Sequence, residues 1–269
     1  MPIPESWLSP ELNVLGPGWT MASGAVSVQA ALKTDSGVTL RAADGSVVEY
    51  RKTDSGAYVG PPGDGTVVRV DSVSGQITVI DDAGTTYKFS AQGELQSAVT
   101  ATDDRQPAAT QYQWSGAPVK LTGMVDPVTG SSTLLRYGGD TNCPTVPGGF
   151  VTAAGKLCSV TTPDGRVTQL FYDSSARLAR IVGPGGVTTD YGYNTANQIT
   201  TVREPLAFDA VSAGVRADGP GVRWTIGYSG DKATTVTPPQ ATPADIAQPV
   251  TVNYVAAAAT AGALGETRL

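Results

Sequence analysis

The chain has 269 residues, 40% of them hydrophobic, which is enough apolar material for one large β domain or two smaller ones and argues against disorder. Its 32 glycines and 19 prolines are too many chain-breaking residues for a helical bundle. The net charge of −6 excludes the basic footprint of a nucleic-acid or anionic-membrane binder, and the lack of histidine removes the commonest general base and most catalytic zinc sites.

The first predicted region, residues 1–125, is a β-rich lead-in with degenerate hairpin repeats. In ADGSVVEY, Gly45 precedes Tyr50 by five residues, and Gly84 precedes Phe89 by the same interval in DAGTTYKFSAQGEL. Leu95 follows Phe89 by six residues. Runs of valine, threonine and aromatic residues between glycine turns are typical of hairpins, so we expect this region to be β-sheet.

The strongest pattern is a 21-residue repeat in the second predicted region, residues 126–205. The segment PDGRVTQLFYDSSARLARIV at 163–182 aligns with PGGVTTDYGYNTANQITTVR at 184–203. Because turn, aromatic and aliphatic positions are kept together, each copy predicts one structural unit. The aligned pairs are Pro163 with Pro184, Gly165 with Gly186, Tyr172 with Tyr193, Leu178 with Ile199, and Ile181 with Val202.

Each unit is predicted to be a two-stranded hairpin, with strands at 167–172 and 187–193. Tyr191 and Tyr193 would share one strand face, which favours a stack of aromatic rings from one hairpin to the next. Leu178 and Ile181 are three residues apart and would lie on opposite faces of a regular strand. The pattern therefore predicts a bulge between them, or a strand that is buried on both faces.

A further unit is predicted to begin in DPVTGSSTLLRYGG and to resume in GKLCSV after an insertion at 138–154. The insertion contains Cys143, and Cys158 follows it. Two cysteines without histidine fit no zinc motif. A disulfide that closes this loop is favoured over two free buried thiols, and it would indicate an exported protein whose signal lies outside the chain.

The last predicted region, residues 206–269, contains one further hairpin in VRWTIGYSGDKATTV and an alanine-rich tail. The longest apolar run of this tail, residues 255–259, is too short to cross a bilayer. We therefore predict no membrane span.

Charged residues are interpreted as structural, and no catalytic residue, cofactor or metal is predicted. Acidic residues between strands are interpreted as turn residues in preference to a calcium site or an acid–base pair; they are Asp81, Asp82, Asp103, Asp104 and Asp126. The repeat arginines are expected to form cross-strand pairs with carboxylates rather than a basic face. The arginines are Arg166, Arg177, Arg180 and Arg203, and the carboxylates are Asp164, Asp173 and Asp190.

Trp114 is the aromatic residue most expected to be exposed, because it lies in the polar stretch TQYQWSG. Exposed rings stack on the apolar faces of sugars, so Trp114 is a possible glycan contact. The tyrosines of the repeats are expected instead to form a core ladder.

The paired units resemble the YD repeat of RHS proteins, which combines an aromatic-Asp, a Gly-Arg-Leu, a later aliphatic residue, a Pro-x-Gly turn and a second Tyr-x-Tyr-Asp. Here the glycine of Gly-Arg-Leu is Ala176 in one copy and Asn197 in the other, so a modified turn or strain is expected at Ala176. The segment LGPGWT, with the two hairpin segments after it, is similar to the lead-in of such repeats. The matching repeat residues are Tyr172, Asp173, Arg177, Leu178, Ile181, Pro184, Gly186, Tyr191, Tyr193, Ile199 and Val202.

The resemblance implies an all-β fold in which antiparallel hairpin repeats form a curved or spiral sheet, as a segment of a bacterial polymorphic-toxin shell or a teneurin-like β-shell. It implies a non-enzymatic, extracellular or cell-surface role: enclosing a C-terminal toxin or presenting a surface-interaction domain. The implied partners are further repeats or a toxin domain of the same polypeptide. The alternative is a carbohydrate-binding adhesion module, whose partner would be a surface glycan.

Overall fold

The structure is a computed structural model that describes residues 14–15, 28–42, 46–101, 109–116, 119–254 and 267–268. Several predictions fall outside these residues: the Gly45 turn, the Asp103 and Asp104 pair, most of LGPGWT, and the apolar run at 255–259. In the described chain nearly all regular structure is β-strand and neighbouring strands pair antiparallel, so the prediction of an all-β fold of antiparallel hairpins is confirmed.

The first of two compact units comprises the described residues up to Cys143 together with Ala154–Val167. Its strands are β1 (Val28–Lys33), β2 (Gly37–Ala42), β3 (Val47–Lys52), β4 (Tyr58–Val59), β5 (Val67–Val70), β6 (Ile77–Ile80), β7 (Thr86–Phe89), β8 (Leu95–Val99), β9 (Gln111–Ser115), β10 (Lys120–Val125), β11 (Ser132–Tyr137) and β12 (Leu157–Thr161). Strands β1 to β4 form one antiparallel sheet in chain order, and β5 to β12 follow one another in a second. The chain therefore builds this unit as a meander, with each strand beside its predecessor.

The second unit comprises Pro144–Ala153 and the described residues from Thr168 onward. Its elements are β13 (Val167–Tyr172), β14 (Leu178–Val182), β15 (Thr188–Tyr193), β16 (Ile199–Arg203), α1 (Pro205–Ser212), β17 (Trp224–Ser229), β18 (Lys232–Thr237), β19 (Val250–Thr251), β20 (Asn253–Tyr254) and β21 (Thr267–Arg268). Strands β13 to β19 again lie in chain order, and β20 pairs with β21.

The predicted strands at 167–172 and 187–193 correspond to β13 and β15. Strand β15 begins one residue later than predicted because Val187 closes the 3-10 turn Pro184–Gly186. The predicted regions 1–125, 126–205 and 206–269 divide the chain by its repeat pattern, whereas the two units divide it by compactness. Those region boundaries stay a prediction.

A β-bulge or register shift occurs in seven strand pairs of the described chain: β1–β2 and six hairpins from β7 onward. In the β13–β14 hairpin, Phe171 faces Arg180 and Tyr172 faces Leu178, which leaves Ala179 as an extra residue. This register explains the three-residue spacing of Leu178 and Ile181, and the predicted bulge is confirmed. The extra residues of the six hairpins are Gln96, Thr122, Cys158, Ala179, Thr200 and Thr234.

Both units have a core made from these hairpins. Full burial of one such side chain stabilises a fold by about 1.5–3 kcal/mol. The most buried large side chains of the first unit are Ile77, Val79, Tyr87, Phe89, Leu135 and Leu157, and those of the second unit include Phe171, Tyr172 and Leu178. None of the helices in the described part of the chain is long and apolar enough to cross a bilayer.

Candidate functional site

Two tyrosines at or next to the end of the first strand of a hairpin in the second unit are hydrogen-bonded to the hairpin before them. The hydroxyl of Tyr193 donates to the carbonyl of Leu178 at 2.6 Å. The hydroxyl of Tyr228 donates to the carbonyl of Ile199 at 2.9 Å. Strand pairing and these side-chain bonds therefore join the same successive hairpins. We call this series of bonds the polar ladder.

The polar ladder is also present in the first unit. The hydroxyl of Tyr137 donates to the carbonyl of Leu121 at 2.6 Å. The indole N–H of Trp114 donates to the carbonyl of Leu95 at 2.7 Å. A tryptophan thus takes the place of tyrosine in one hairpin, which is possible because both side chains carry a donor at the end of a long apolar ring.

The bulges explain why the ladder needs these donors. A bulge interrupts the backbone hydrogen-bond ladder, and a buried carbonyl without a donor is costly. Each acceptor lies at or next to the start of the return strand of a bulged hairpin. In the second unit, Leu178 faces Tyr172 and Ile199 faces Tyr193, with the register shift directly beside them. The aromatic donor of the next hairpin supplies the missing bond, worth about 1 kcal/mol.

A basic side chain lies over the ring at several of these joints. The guanidinium of Arg177 lies 4.9 Å from the ring centre of Tyr193, and the ammonium of Lys120 lies 5.2 Å from that of Tyr137. Each base directly precedes the residue whose carbonyl accepts the tyrosine hydroxyl. The basic residue therefore contacts the ring face of the tyrosine, and the aliphatic residue after it accepts the hydroxyl. The cation–π contact contributes about 0.5–1 kcal/mol to the stability of the joint.

In the second unit, the turn before each joint is closed by an Asp or an Asn. One carboxylate oxygen of Asp173 accepts the backbone N–H of Arg177 at 3.0 Å, and the other accepts its side-chain Nε at 2.7 Å. In the next copy, Asn194 accepts the backbone N–H of Gln198 at 3.0 Å and donates its own amide to the Gln198 side chain at 2.7 Å. The Asp–Arg ion pair is thus replaced by a neutral Asn–Gln pair that keeps the turn closed.

Two turn residues other than glycine have a left-handed backbone in the described part of the chain. Ala176 has a φ of 57° and Asn197 a φ of 61°. Asn tolerates this region because its short polar side chain bonds locally, whereas Ala does not. The turn glycine of the family pattern is therefore absent while its backbone conformation is kept, and the strain expected at Ala176 is present.

A row of charged side chains crosses strands β14 to β16. Arg180 faces Asp190, and Asp190 faces Arg203. Arg180 donates to the two carboxylate oxygens of Asp190 at 2.6 Å and 3.0 Å, and Arg203 also donates to Asp190. Asp218, which follows α1, extends the row by bonding Arg203 at 3.2 Å and Arg223 at 2.6 Å.

The row keeps the Asp190 carboxylate ionised. Burial by itself raises the pKa of Asp190, but the hydrogen bonds and charges of Arg180 and Arg203 outweigh burial and hold it below its ordinary value. The predicted cross-strand pairing is observed for Arg180–Asp190 and Arg203–Asp190. The pairs Arg166–Asp164 and Arg177–Asp173 differ from the prediction, because each forms within a single turn.

Two phenylalanines enclose this row, and the repeat pattern gave no sign of either. Arg180 lies 4.8 Å from the ring centre of Phe150 and 4.9 Å from that of Phe208. Phe208 comes from α1, in which no residue is fully buried, so these cation–π contacts hold the helix. The only sequence feature that could have indicated Phe150 is its position as a lone aromatic residue in the insertion, because residues of an insertion have no counterpart in the other repeats.

The two cysteines form a disulfide, with their Cα atoms 5.6 Å apart. Cys158 is the extra residue at the β11–β12 bulge, since Tyr137 faces Leu157 and Arg136 faces Ser159. It follows the same 21-residue spacing as Ala179 and Thr200, the extra residues of the next two hairpins. The insertion is therefore bonded to a regular position of the repeat.

The remaining repeat-motif residues all lie in the second unit. Tyr191 pairs with Val202 across β15 and β16, and Ile181 pairs with Leu170 across β13 and β14. Pro184 and Gly186 form the 3-10 turn that leads into β15. The structure thus brings Arg177, Leu178 and Tyr193 together at one joint and distributes the other motif residues along the sheet.

Trp114 is half-buried rather than exposed, and its indole N–H is bonded to Leu95. A glycan contact at Trp114 stays a prediction. Among the acidic residues, Asp81 accepts the backbone N–H of Thr85 at 2.8 Å, and Asp126 accepts that of Val128 at 2.8 Å. Both therefore act as turn residues. The described residues contain no cluster of three or more His, Cys, Asp or Glu side chains suited to a metal.

No protein-family model matches the chain, and no curated protein matches it. Among solved structures, the chain is similar to one in the crystal structure of TcdB2-TccC3-Cdc42, with 13% identity and a TM-score of 0.43. It is also similar to one in TcdB2-TccC3 without its hypervariable C-terminal region, with 12% identity and a TM-score of 0.41. Each match covers 81% of this chain and 12% of the other chain, so this chain spans a small part of their length.

Proposed function

We propose that this chain is a non-enzymatic structural segment of an RHS-type shell that encloses a C-terminal toxin domain, or presents a surface-interaction domain, of the same polypeptide. The polar ladder is the observation that carries the proposal. It repeats one type of joint along a sheet whose strands follow chain order within each unit. A wall of indefinite length requires a joint that each new hairpin can reuse, as in other repeat proteins.

The cation–aromatic part of the joint is found again beyond Tyr228. The ammonium of Lys232 lies 5.1 Å from the ring centre of Tyr254, as Arg177 lies over Tyr193 at 4.9 Å. Tyr254 belongs to β20, the next strand after the β18–β19 pair. The same kind of cation–aromatic contact is therefore used on both sides of the Tyr228 joint, where Gln198 stands in place of the base, and this supports a role in continuing the sheet.

The carboxylates of the second unit support a structural role over acid–base chemistry. Asp190 accepts hydrogen bonds from Arg180 and Arg203, and Asp218 accepts them from Arg203 and Arg223. A general acid must give up a proton to a substrate, which Asp190, bonded to two arginines that lower its pKa, is poorly placed to do. In the described residues, Asp190 and Asp218 therefore act as structural carboxylates that link strands of the second unit to one another.

The disulfide supports an extracellular or cell-surface location, because disulfides persist in oxidising compartments. The matching test is a thiol-labelling assay on protein recovered from its native host. We expect Cys143 and Cys158 to be protected from alkylation until a reductant is added. Labelling of both thiols without reductant would contradict an exported location.

Electron microscopy of a longer polypeptide that includes this chain and its following domain tests the shell. We expect hollow particles, and their fraction should fall after mild heating in the double variant Tyr193→Phe and Tyr228→Phe, which removes two ladder hydroxyls. Tyr58→Phe is the matched control, since Tyr58 contributes no ladder bond in the described chain. Solid or extended particles from the unsubstituted polypeptide would contradict the proposal.

A substrate panel tests the non-enzymatic part of the proposal separately. We expect no turnover of glycosidic or peptide substrates by the purified chain. Turnover that is lost in a single Asp-to-Asn variant would contradict it.

A further inference from the structure

The insertion between β11 and β12 places one segment, Pro144–Ala153, in the second unit. We call this segment the strap. The backbone N–H of Val151 donates to the carbonyl of Tyr172 at 2.9 Å. The ring centre of Phe150 lies 6.0 Å from that of Phe171. The strap therefore contacts β13 through one backbone bond and one aromatic pair.

The strap lies against two groups that are otherwise part of the sheet. Phe171 is only 3% exposed, and the ring of Phe150 packs beside it. Arg180 lies between the rings of Phe150 and Phe208, at 4.8 Å and 4.9 Å from their centres. Departure of the strap would expose Phe171 and one face of the Arg180 guanidinium.

A covalent bond restrains the N-terminal end of the strap. Cys143 directly precedes the strap and is bonded to Cys158. Cys158 is 8% exposed and lies at the bulge of the β11–β12 hairpin, whereas Cys143 is half-buried. A thiolate from outside therefore reaches the sulfur of Cys143 more readily than that of Cys158.

We propose that this disulfide is a redox switch that keeps the strap ordered and releases it when reduced. The reductant is a dithiol. Its first thiolate attacks the Sγ of Cys143, forms a mixed disulfide and displaces Cys158 as a thiolate. Its second thiolate then displaces Cys143, so that the dithiol is oxidised to a cyclic disulfide and both cysteines become thiols by taking up two electrons and two protons. This switch goes beyond the proposed scaffold function and does not depend on it.

The release is local because the sheet beneath the strap has its own bonds. The β13–β14 hairpin keeps its four register pairs without the strap. Arg180 keeps Phe208 on its other face and both oxygens of Asp190. Reduction removes a covalent restraint on a proline- and glycine-rich loop. The contacts of Val151 with Tyr172 and of Phe150 with Phe171 and Arg180 then have to order that loop alone.

Hydrogen exchange at single-residue resolution, with and without dithiothreitol, tests the switch on the full chain. We expect exchange of the Val151 amide to rise at least tenfold on reduction. The Ile181 amide, in the middle of β14, should change by less than twofold. The Cys143→Ser and Cys158→Ser double variant should show the faster Val151 exchange without reductant and should not respond to it.

Two results would overturn the proposal. Unchanged Val151 exchange after complete reduction, verified by mass, would show that the strap is held without the disulfide. An equal rise at Val151 and Ile181 would show that the disulfide stabilises the whole unit instead of controlling the strap. Phe150→Ala, which leaves the disulfide intact, should accelerate Val151 exchange while Ile181 stays unchanged, and the conservative Phe150→Leu should have a smaller effect.

Discussion

Ala176 occupies a backbone conformation that ordinarily selects glycine, with a φ of 57°. The same turn position is Asn197 in the next copy and Gly155 in the previous one, where φ is 73°. The left-handed conformation is therefore a property of the hairpin, and the residue adapts to it. Side-chain chemistry determines only how much strain the conformation costs.

Replacing Ala176 with glycine should stabilise the protein. The left-handed region costs an L-residue about 1–2 kcal/mol, and the added freedom of glycine in the unfolded chain offsets roughly 0.5–1 kcal/mol of that gain. We expect the free energy of unfolding to rise by about 0.5–1 kcal/mol in urea titrations. Ala179→Gly is the control at the neighbouring bulge, where the backbone is not left-handed, and it should lower stability by a similar amount.

Trp114 gives a second test at the scale of one residue. Trp114→Phe keeps an aromatic ring but removes the donor to the carbonyl of Leu95, whose residue is 3% exposed. An unsatisfied buried carbonyl costs about 1–3 kcal/mol, so we expect a loss of that size in urea unfolding. Trp224→Phe is the control, since Trp224 makes no ladder bond in the described chain, and an equal loss in both variants would contradict the role of the Trp114 donor.

Hairpins are joined by side chains that belong to different copies of the repeat. Arg177 and Leu178 lie in the turn and return strand of one hairpin, and Tyr193 ends the first strand of the next. The carbonyl of Leu178 lies beside the bulge, and the hydroxyl of Tyr193 donates a hydrogen bond to it. One irregularity in each hairpin is therefore the feature that specifies how the next hairpin docks.

A double-mutant cycle on Tyr193 and Arg177 tests this joint. Tyr193→Phe should lower the free energy of unfolding by about 1 kcal/mol through the lost hydrogen bond to Leu178. Arg177→Ala should remove the cation–π contact and the Asp173 pair. Tyr193→Leu removes the ring, so its coupling energy with Arg177→Ala should reach about 0.5–1 kcal/mol. Tyr193→Phe keeps the ring, so its coupling energy with Arg177→Ala should be smaller. Equal coupling in both cycles would contradict a contact through the ring face.

At the scale of the whole molecule, ionised carboxylates make stability depend on pH. The pKa of Asp190 is below its ordinary value of 3.8 in the folded chain. The turn carboxylates Asp71 and Asp126 also have lowered pKa values, chiefly because backbone N–H groups of Ser74 and Val128 donate to them. The folded state therefore binds fewer protons than the unfolded chain in acid, and folding weakens as the pH falls.

Asp190 should account for a measurable part of this acid sensitivity. Its folded pKa is depressed, so its stabilisation is complete above about pH 4 and is lost as the pH falls through the folded value. Asp190→Asn should be less stable than the unsubstituted protein at pH 7, and the gap should narrow below pH 4. Urea midpoints from pH 7 to pH 2, followed by tryptophan fluorescence, measure the gap.

The control for the pH series is Asp209→Asn, which alters an exposed carboxylate of α1. Its unfolding curve should run parallel to that of the unsubstituted protein over the whole range. A gap for Asp190→Asn that stays constant between pH 7 and pH 2 would show that the Asp190 charge contributes nothing to stability.

The joints were only partly predictable from the sequence. The spacing of Leu178 and Ile181 predicted a bulge because strand side chains alternate faces, and the turn positions were marked by Ala176 and Asn197. The partner of a freed carbonyl could not be predicted in this way. Tyr193 and Leu178 belong to different copies of the repeat, and the repeat pattern does not predict which donor bonds to which acceptor.

The sequence by itself determined the strands, the hairpin turns and the place of the bulge, because these depend on local alternation and backbone freedom. Tertiary structure alone decided what covers the sheet. Phe150 and Phe208 come from segments that repeat nothing, and they meet at Arg180 only because the chain folds back over it. Trp114 shows the same limit: its polar neighbours predicted exposure, but a carbonyl 2.7 Å from its indole nitrogen, from a distant strand residue, holds it half-buried. Burial depends on contacts between residues far apart in the chain, and local sequence does not record them.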